Sequence, residues 1–553
     1  MTQPAVLRKH GLLALCIALV FPLVIAPLLI IVVRSVVLFE PGGWVLTVQH
    51  FARVLGSSIY WVALANTIVI SLGATMLASA FGVPLGWLYA RADLPGRGVL
   101  EQLSQLPIFI PPFVGAVAWI LLGAPRIGFL NAALRSVDLP EVFDVYTHSG
   151  MAWVIGLYLA PYVMMIVAGA LRSMDPSLEE AGRVGGLSSF ETVRKITLPL
   201  VAPAILSSAV LAFSIAIGLF GTPVVLGWSR QILVLTSRIW VASQAVPSDY
   251  GVMAVLAVYL MALSTIAMAI QRRLLGKRTF VTVTGKGFRA KDVALGGWRW
   301  PLAGLAGLYV LLTVLAPIAV LTGAAASTYV WSGKFTLANV NGMMGSSDVW
   351  FTLYNSVWIS ICSATIATIL GIAIAYLSAR TRIAGRQILE YVVLLPVSVP
   401  GIAFGVGVMF LWLNIPAGVY GTAWIIVLAF VGRFTAYAVR SISANLVQVH
   451  PELEESARVA GYGWARTFLR ITLPLVGPGI LAGWVLLFSF FMTELSMVIL
   501  LYTTDTRTFS LLSFEVWNVG DLAQLSALTL LQLLIGVSVT LLARYVVPQR
   551  TLV

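Results

Sequence analysis

The sequence predicts an all-α polytopic membrane protein, with 12 transmembrane helices arranged as two parallel six-helix repeats. Three observations predict it. The 553 residues are 59% hydrophobic and only 10% charged, with mean hydropathy +0.97, too little polar surface to cover a water-soluble globule. Apolar stretches recur that reach the about 20 residues a helix needs to cross a bilayer core. One charged stretch also occurs twice, 275 residues apart, at the same place in two series of apolar segments.

In chain order the apolar segments are 11–38, 59–90, 106–123, 151–171, 200–227 and 251–271, then 300–327, 350–379, 394–413, 421–440, 476–502 and 525–543. Arg8 and Lys9 precede a first apolar run too long for a signal-peptide core and without a small-residue cleavage site, so it is expected as an uncleaved span. An even number of spans per half returns the second half in the same orientation, which relates the repeats by a pseudo-twofold along the membrane normal. The first repeat is assigned to 1–271 with a core at 59–271, and the second to 300–553 with a core at 350–543.

The excess of 34 Lys and Arg over 21 Asp and Glu falls mostly in loops that share one side of this topology. By the positive-inside rule those loops, and both termini, are expected in the cytoplasm. This distribution assigns the basic residues to orientation and membrane lipid, with no role in binding nucleic acid. The segment 272–299 concentrates them in Arg272, Arg273, Lys277, Arg278, Lys286, Arg289, Lys291 and Arg299 and reads as a cytoplasmic linker beside anionic lipid. Cys16 and Cys362 both fall inside apolar segments, which supports neither a disulfide framework nor a thiolate metal cluster.

The repeat is dense in matched residues. Asn66, Gly82, Arg91, Gly96, Arg97, Glu101, Pro107 and Pro111 correspond to Asn355, Gly371, Arg380, Gly385, Arg386, Glu390, Pro396 and Pro400 at an offset of 289. The offset then falls to 275, so the first half carries 14 extra residues, expected in the polar outside loop 124–150. Beyond it, Glu180, Ala181, Gly182, Gly186 and Ile196-Thr197-Leu198-Pro199 match Glu455, Ser456, Ala457, Gly461 and Ile471-Thr472-Leu473-Pro474.

Each copy is expected to fold as a helix–glycine–helix elbow. Asp175-Pro176 can open the first short helix, with His450-Pro451 taking that place in the second copy. Glu179 and Glu180, or Glu452, Glu454 and Glu455, then lie in first turns, where carboxylates favour the positive end of the helix dipole. Gly186 and Gly461 suit helix ends that need positive φ. Ser188 and Glu191 have capping-box spacing for a second helix in the first copy, and in each copy this helix is expected to stop before Pro199 or Pro474. The small residues after each leading Glu are expected to leave room for another surface.

The pattern Glu-Ala-Ala, three residues, Gly, nine residues, Ile-x-Leu-Pro resembles the EAA loop of binding-protein-dependent ABC importer permeases, over about 59–271 and 350–543. Gly182 and Ser456 depart from it by conservative changes in size. The resemblance implies the type I ABC importer permease fold, with Glu179, Glu180, Ala181, Gly182, Gly186, Glu454, Glu455, Ser456, Ala457 and Gly461 coupling the chain to a cytoplasmic ATPase homodimer, one elbow per ATPase subunit. It also implies a periplasmic or lipid-anchored substrate-binding protein and a place in the bacterial cytoplasmic (inner) membrane. No G-x-x-x-x-G-K-[ST] phosphate loop occurs in the chain. No cofactor is therefore expected here, and ATP and Mg are expected in the partner ATPase; the chain is a transport subunit and not an enzyme.

Ionisable residues inside spans point to the pathway. Arg34 lies near the outer end of its span, where it can snorkel. Arg433 and Glu494 fall deeper, separated by an estimated height of about 16 Å at 1.5 Å per helical residue, too far for a direct ion pair unless a span is broken. Thr493, Glu494 and Ser496, with Tyr502 and Asp505 further out, offer oxygen ligands suited to a hard trivalent cation. The stretch Met492-Thr493-Glu494-Leu495-Ser496 in a fused chain also resembles the ferric-iron branch of the family. The expected pathway residues are therefore Arg433, Thr493, Glu494, Ser496 and Tyr502, with Glu494 the candidate metal contact. Importers of thiamine, aminoalkylphosphonate, sugar phosphate or polyamine are the alternatives. An ion-coupled secondary transporter, the alternative from another class, calls for a network of charges within spans and leaves the repeated loop unexplained.

Overall fold

A computed structural model describes residues 3–40, 43–175, 177–275, 292–330, 332–381 and 383–546. Among these, nine helices are long and apolar enough to cross a membrane: Gly11–Ser35, Ser58–Arg91, His148–Ser173, Val193–Gly218, Tyr250–Leu274, Gly296–Ala325, Ser347–Arg380, Ala423–Gln448 and Trp464–Thr493. Two bent pairs, Arg97–Phe109 with Pro112–Gly123 and Arg386–Ser398 with Gly401–Asn414, and the final helix Leu522–Val546 account for the rest of the predicted spans. The antiparallel hairpin Val37–Glu40 and Gly43–Leu46 is a small departure from an all-helical chain.

The bent pairs correct the sequence reading, which took 106–123 and 394–413 as simple spans. They turn through 104° and 112°. Proline drives its preceding residue out of the helical region, and Ile110 and Val399, ahead of Pro111 and Pro400, are extended at ψ 118° and 129°. A second correction concerns 200–227 and 476–502, whose helices stop at Gly218 and Thr493. Leu219 and Glu494 are extended, at ψ 133° and 119°. Their freed carbonyls accept from Thr236 Oγ1 at 2.8 Å and Ser510 Oγ at 3.0 Å, as buried backbone groups at membrane depth require.

Close packing of spans explains two of the matched glycines. A Cβ on Gly82 would lie 2.6 Å from the Ala160 carbonyl oxygen and from Val163 Cβ, and one on Gly371 would lie 2.7 Å from Ala438 Cβ. Each repeat therefore joins its second and fourth spans at backbone distance, as small residues allow where no water drives association.

The outermost spans are exchanged between the cores. Gly11–Ser35 lies on the second repeat, so close that a Cβ on Gly407 or Gly432 would stand 2.2 Å from the Pro27 or Leu23 carbonyl oxygen. Arg34 does not merely snorkel: Nη2 donates to Asn414 Oδ1 at 3.1 Å and the guanidinium lies 5.4 Å from the Phe410 ring centre. Conversely, Gly296–Ala325 packs on the first repeat, where Tyr309 Oη donates to the Leu157 carbonyl at 2.9 Å.

The extra length of the first half lies between Gly123 and His148, where Phe129–Arg135 forms a short helix and Arg135 pairs with Glu141 at 2.8 Å. Of the basic linker, Lys277, Arg278, Lys286, Arg289 and Lys291 lie outside the described residues. Its end is tied to the first core: Val293 N donates to the Arg91 carbonyl at 2.7 Å, and Arg97 pairs with Asp292 at 2.8 Å.

Candidate functional site

Both elbows form. The first is a helix Ser177–Val184, a turn at Gly186 with φ +86°, and a second helix from Ser189. The other is a helix Glu452–Val459, a turn at Gly461 with φ +83°, and a second helix from Trp464. Asp175 Oδ1 accepts from Ser177 N at 2.9 Å, whereas in the second copy Pro451 is the cap position and makes no side-chain cap, so His450 does not reproduce the aspartate. The capping box is present: Ser188 N donates to Glu191 Oε2 at 3.1 Å and Glu191 N to Ser188 Oγ at 3.3 Å. The hydrogen bond from Lys195, with those from Ser188, holds the Glu191 carboxyl at about 2.

The second helices do not stop before Pro199 and Pro474. A wide turn at Val193–Thr197 and at Phe468–Thr472 lets each run straight into its span. There the Leu198 and Leu473 N–H groups bond back to Val193 and Phe468, an insertion that accommodates the prolines' missing donors.

What fixes each elbow to the membrane part is a buried ionic clamp that sequence reasoning missed. Arg91 ends its span and Nη2 donates to the Met174 carbonyl at 3.2 Å; Arg380 likewise donates to the Leu446 and Val449 carbonyls at 3.0 and 2.5 Å. These are orphan carbonyls at the end of the neighbouring span, a favoured place for a cation. The same guanidiniums face the elbow carboxylates, with Arg91 Nε 4.0 Å from Glu179 Oε2 and Arg380 Nε 3.3 Å from Glu454 Oε1. Thr197 and Thr472 donate to Glu179 and Glu454 at 2.6 and 3.0 Å. Arg, Glu and Thr recur in both copies, though at two different offsets, and that recurrence was the available signal.

The remaining elbow residues divide by face. Glu180, Ala181, Glu455 and Ser456 are exposed, while Ala457 is buried and Gly182 half-buried. A Cβ on Gly182 would stand 2.5 Å from Ile196 Cδ1, so the small residue at this position makes room for the elbow's own second helix. Val184 and Val459, one repeat apart, are 90% and 91% exposed at the elbow tips.

The halves enclose a cavity of about 410 Å3 at the four breaks described above. Matched positions line it from both sides: Pro111 and Pro400, Tyr162 and Tyr437, Gly218 and Thr493, Leu219 and Glu494. Arg433, Thr493, Glu494 and Ser496 meet here, and Tyr502 is not among the lining residues. Arg433 and Glu494 thus line one space across that estimated height, since the span ends where Glu494 begins. Arg433 Nη1 lies 2.0 Å from where a Cβ on Gly401 would be, and Ser496 Cβ lies 3.2 Å from that point. The guanidinium also rests 5.2 Å from the Phe434 ring centre. Glu494 Oε1 accepts from Met497 N at 3.2 Å. Among the described residues no ion pair joins Arg433 to Glu494, and no group of three or more His, Cys, Asp or Glu converges as a metal site.

Two cores around a shared cavity, each carrying an elbow clamped to its span ends, define a membrane transport permease. The chain belongs to the family of binding-protein-dependent transport system inner membrane components, which it matches twice, over residues 82–279 and 367–551. It is 29% identical over 505 residues to a Haemophilus influenzae chain named as a ferric transport system permease protein, FbpB 1, covering 90% of this chain and 78% of that one. It is 28% identical over 467 residues to the ferric transport system permease protein FbpB of Actinobacillus pleuropneumoniae, covering 83% and 67%. A solved bacterial alginate ABC transporter, in complex with a pentasaccharide-bound periplasmic protein, aligns at 17% identity and TM-score 0.38 over 46% of this chain and 96% of that one.

Proposed function

We propose that this permease forms the membrane pathway of an ATP-driven ferric-iron importer. The observation that carries the proposal is the likeness to ferric permeases across both repeats; the cavity's chemistry supports it. One carboxylate, two phenols and the hydroxyls of Ser214, Thr222, Ser398, Thr493 and Ser496 line the space beside the Arg433 guanidinium, and hard cations favour such oxygen donors. Glu494 contacts the passing metal, and Leu219 at the matching position makes the site one-sided.

In this account a periplasmic or lipid-anchored binding protein delivers iron outside. The elbows sit in a cytoplasmic ATPase homodimer that binds ATP and Mg, and both chain termini are cytoplasmic. ATP-driven closure of the dimer moves the two elbows, and the Arg91–Glu179 and Arg380–Glu454 clamps carry that motion into the span ends. The exposed Val184 and Val459 are apolar knobs suited to grooves in the ATPase.

The test is uptake by proteoliposomes holding the permease, its ATPase and its binding protein. Ferric iron is expected to enter, and Glu494→Gln to cut uptake at least tenfold while ATP hydrolysis persists. Preferential uptake of thiamine, an aminoalkylphosphonate, a sugar phosphate or a polyamine, with iron excluded, would overturn the substrate assignment.

A further inference from the structure

The two elbows are finished differently at their roots. In the second half, Trp464 and Phe468 stack with ring centres 5.6 Å apart and planes at 12°. Trp464 Nε1 donates to Tyr376 Oη at 2.8 Å, and Tyr376 Oη to Glu454 Oε2 at 3.5 Å. An indole and a phenol thus stand over the clamp carboxylate.

The matching positions of the first half are Ser189, Val193 and Trp87. That half therefore lacks the stacked pair and the phenol hydroxyl, and a cavity of about 510 Å3 stands beside its clamp. Trp87, Glu179, Val193 and Thr197 line one side, and Leu295 and Trp298 the other. The volume is that of a small-molecule site. Glu179 is the one acid among the described lining residues. Its Oε1 is taken by Thr197, while Arg91 Nε, at 4.0 Å from Oε2, is beyond hydrogen-bond reach. Among the described residues Oε2 accepts no hydrogen bond, where Glu454 Oε2 has the phenol.

We propose that this cavity binds a small planar aromatic compound with an N–H or O–H donor, of indole or phenol type. The ring takes the space that Trp464 fills in the other half, and the donor reaches Glu179 Oε2. A bound ring braces the first elbow as Trp464 braces the second, so the ligand tunes how firmly that elbow is tied to its span. Charge complementarity selects a donor over an acceptor, since a buried carboxylate oxygen gains most from a donated hydrogen.

The experiment uses fluoroindole as probe, followed by fluorine NMR on the full chain in nanodiscs. Saturable binding is expected, with a higher Tm in its presence. N-Methyl-fluoroindole, which lacks the donor, should bind at least tenfold more weakly. Val193→Phe supplies the ring of Phe468; it should raise the Tm of the unliganded chain and weaken the probe at least tenfold. Trp298→Ala, at a 71% exposed position, should weaken the probe without preventing folding. Binding no greater than partition into empty nanodiscs overturns the site. Equal binding of the N-methyl compound overturns the Glu179 contact, and unchanged binding in both variants places the probe elsewhere.

Discussion

Arg380 Nε lies 3.3 Å from Glu454 Oε1, and the same guanidinium donates to the Leu446 and Val449 carbonyls. One side chain thus ties the elbow helix to the ends of two spans. Both partners are about nine-tenths buried. Removing one partner of such a pair leaves a buried charge and costs about 3–5 kcal/mol. Glu454→Ala should therefore lower the Tm markedly, and Arg380→Met with Glu454→Met should recover stability without recovering coupled ATP hydrolysis. Glu179→Ala should cost less, because its arginine stands at 4.0 Å. Thermal unfolding and substrate-stimulated hydrolysis, measured on the same samples, check both parts.

Gly186 and Gly461 hold φ +86° and +83°, a region that costs an L residue about 1–2 kcal/mol. Alanine at either should loosen its elbow, seen as faster hydrogen exchange at Leu187 or Tyr462, whose N–H groups close the turns onto Gly182 and Ala457. Gly182→Ala should be mild by comparison. Only the flexible Ile196 tip is in the way, and Ala457 already occupies that position in the other copy.

A pH effect follows from Glu191. Its folded carboxyl is held at about 2, below the ordinary glutamate value of about 4.3. A depressed acid contributes stability that is full above the unfolded value and is lost as pH falls through the folded one. Protection of the capping-box amides should therefore weaken between about pH 4 and about 2, and Glu191→Gln should flatten that dependence. Hydrogen exchange across that range is the measurement.

Val184 and Val459 stand almost wholly in solvent at the elbow tips. Charging them, as Val184→Glu and Val459→Glu, disturbs little internal packing and should leave the folding stability within about 0.5 kcal/mol of the parent. Co-purification of the ATPase should nonetheless fall. Retention of the ATPase by the doubly charged variant would place its docking surface elsewhere.

The twelve segments and the elbows were legible because apolar length and repetition are properties of the sequence itself. The bends were less so. Pro111 and Pro400 stood out as matched residues, but hydropathy does not register a turn of about a right angle within an apolar run. The breaks at Leu219 and Glu494 depend on Thr236 and Ser510, distant hydroxyls that satisfy the freed carbonyls. Arg433 and Glu494 could be named from cost alone, yet their shared cavity required the broken span. The clamps escaped notice because Arg91 and Glu179 belong to segments with different repeat offsets, and only the fold brings those segments together.

Two clamped elbows are proposed to couple this permease to ATP hydrolysis. Proteoliposomes containing the permease, its ATPase and its binding protein test that coupling most directly, with uptake followed with and without ATP in the absence of any ion gradient. The account predicts uptake only with ATP, abolished by Glu454→Ala together with Glu179→Ala while the chain stays inserted. Uptake that follows an imposed ion gradient and ignores ATP would contradict it.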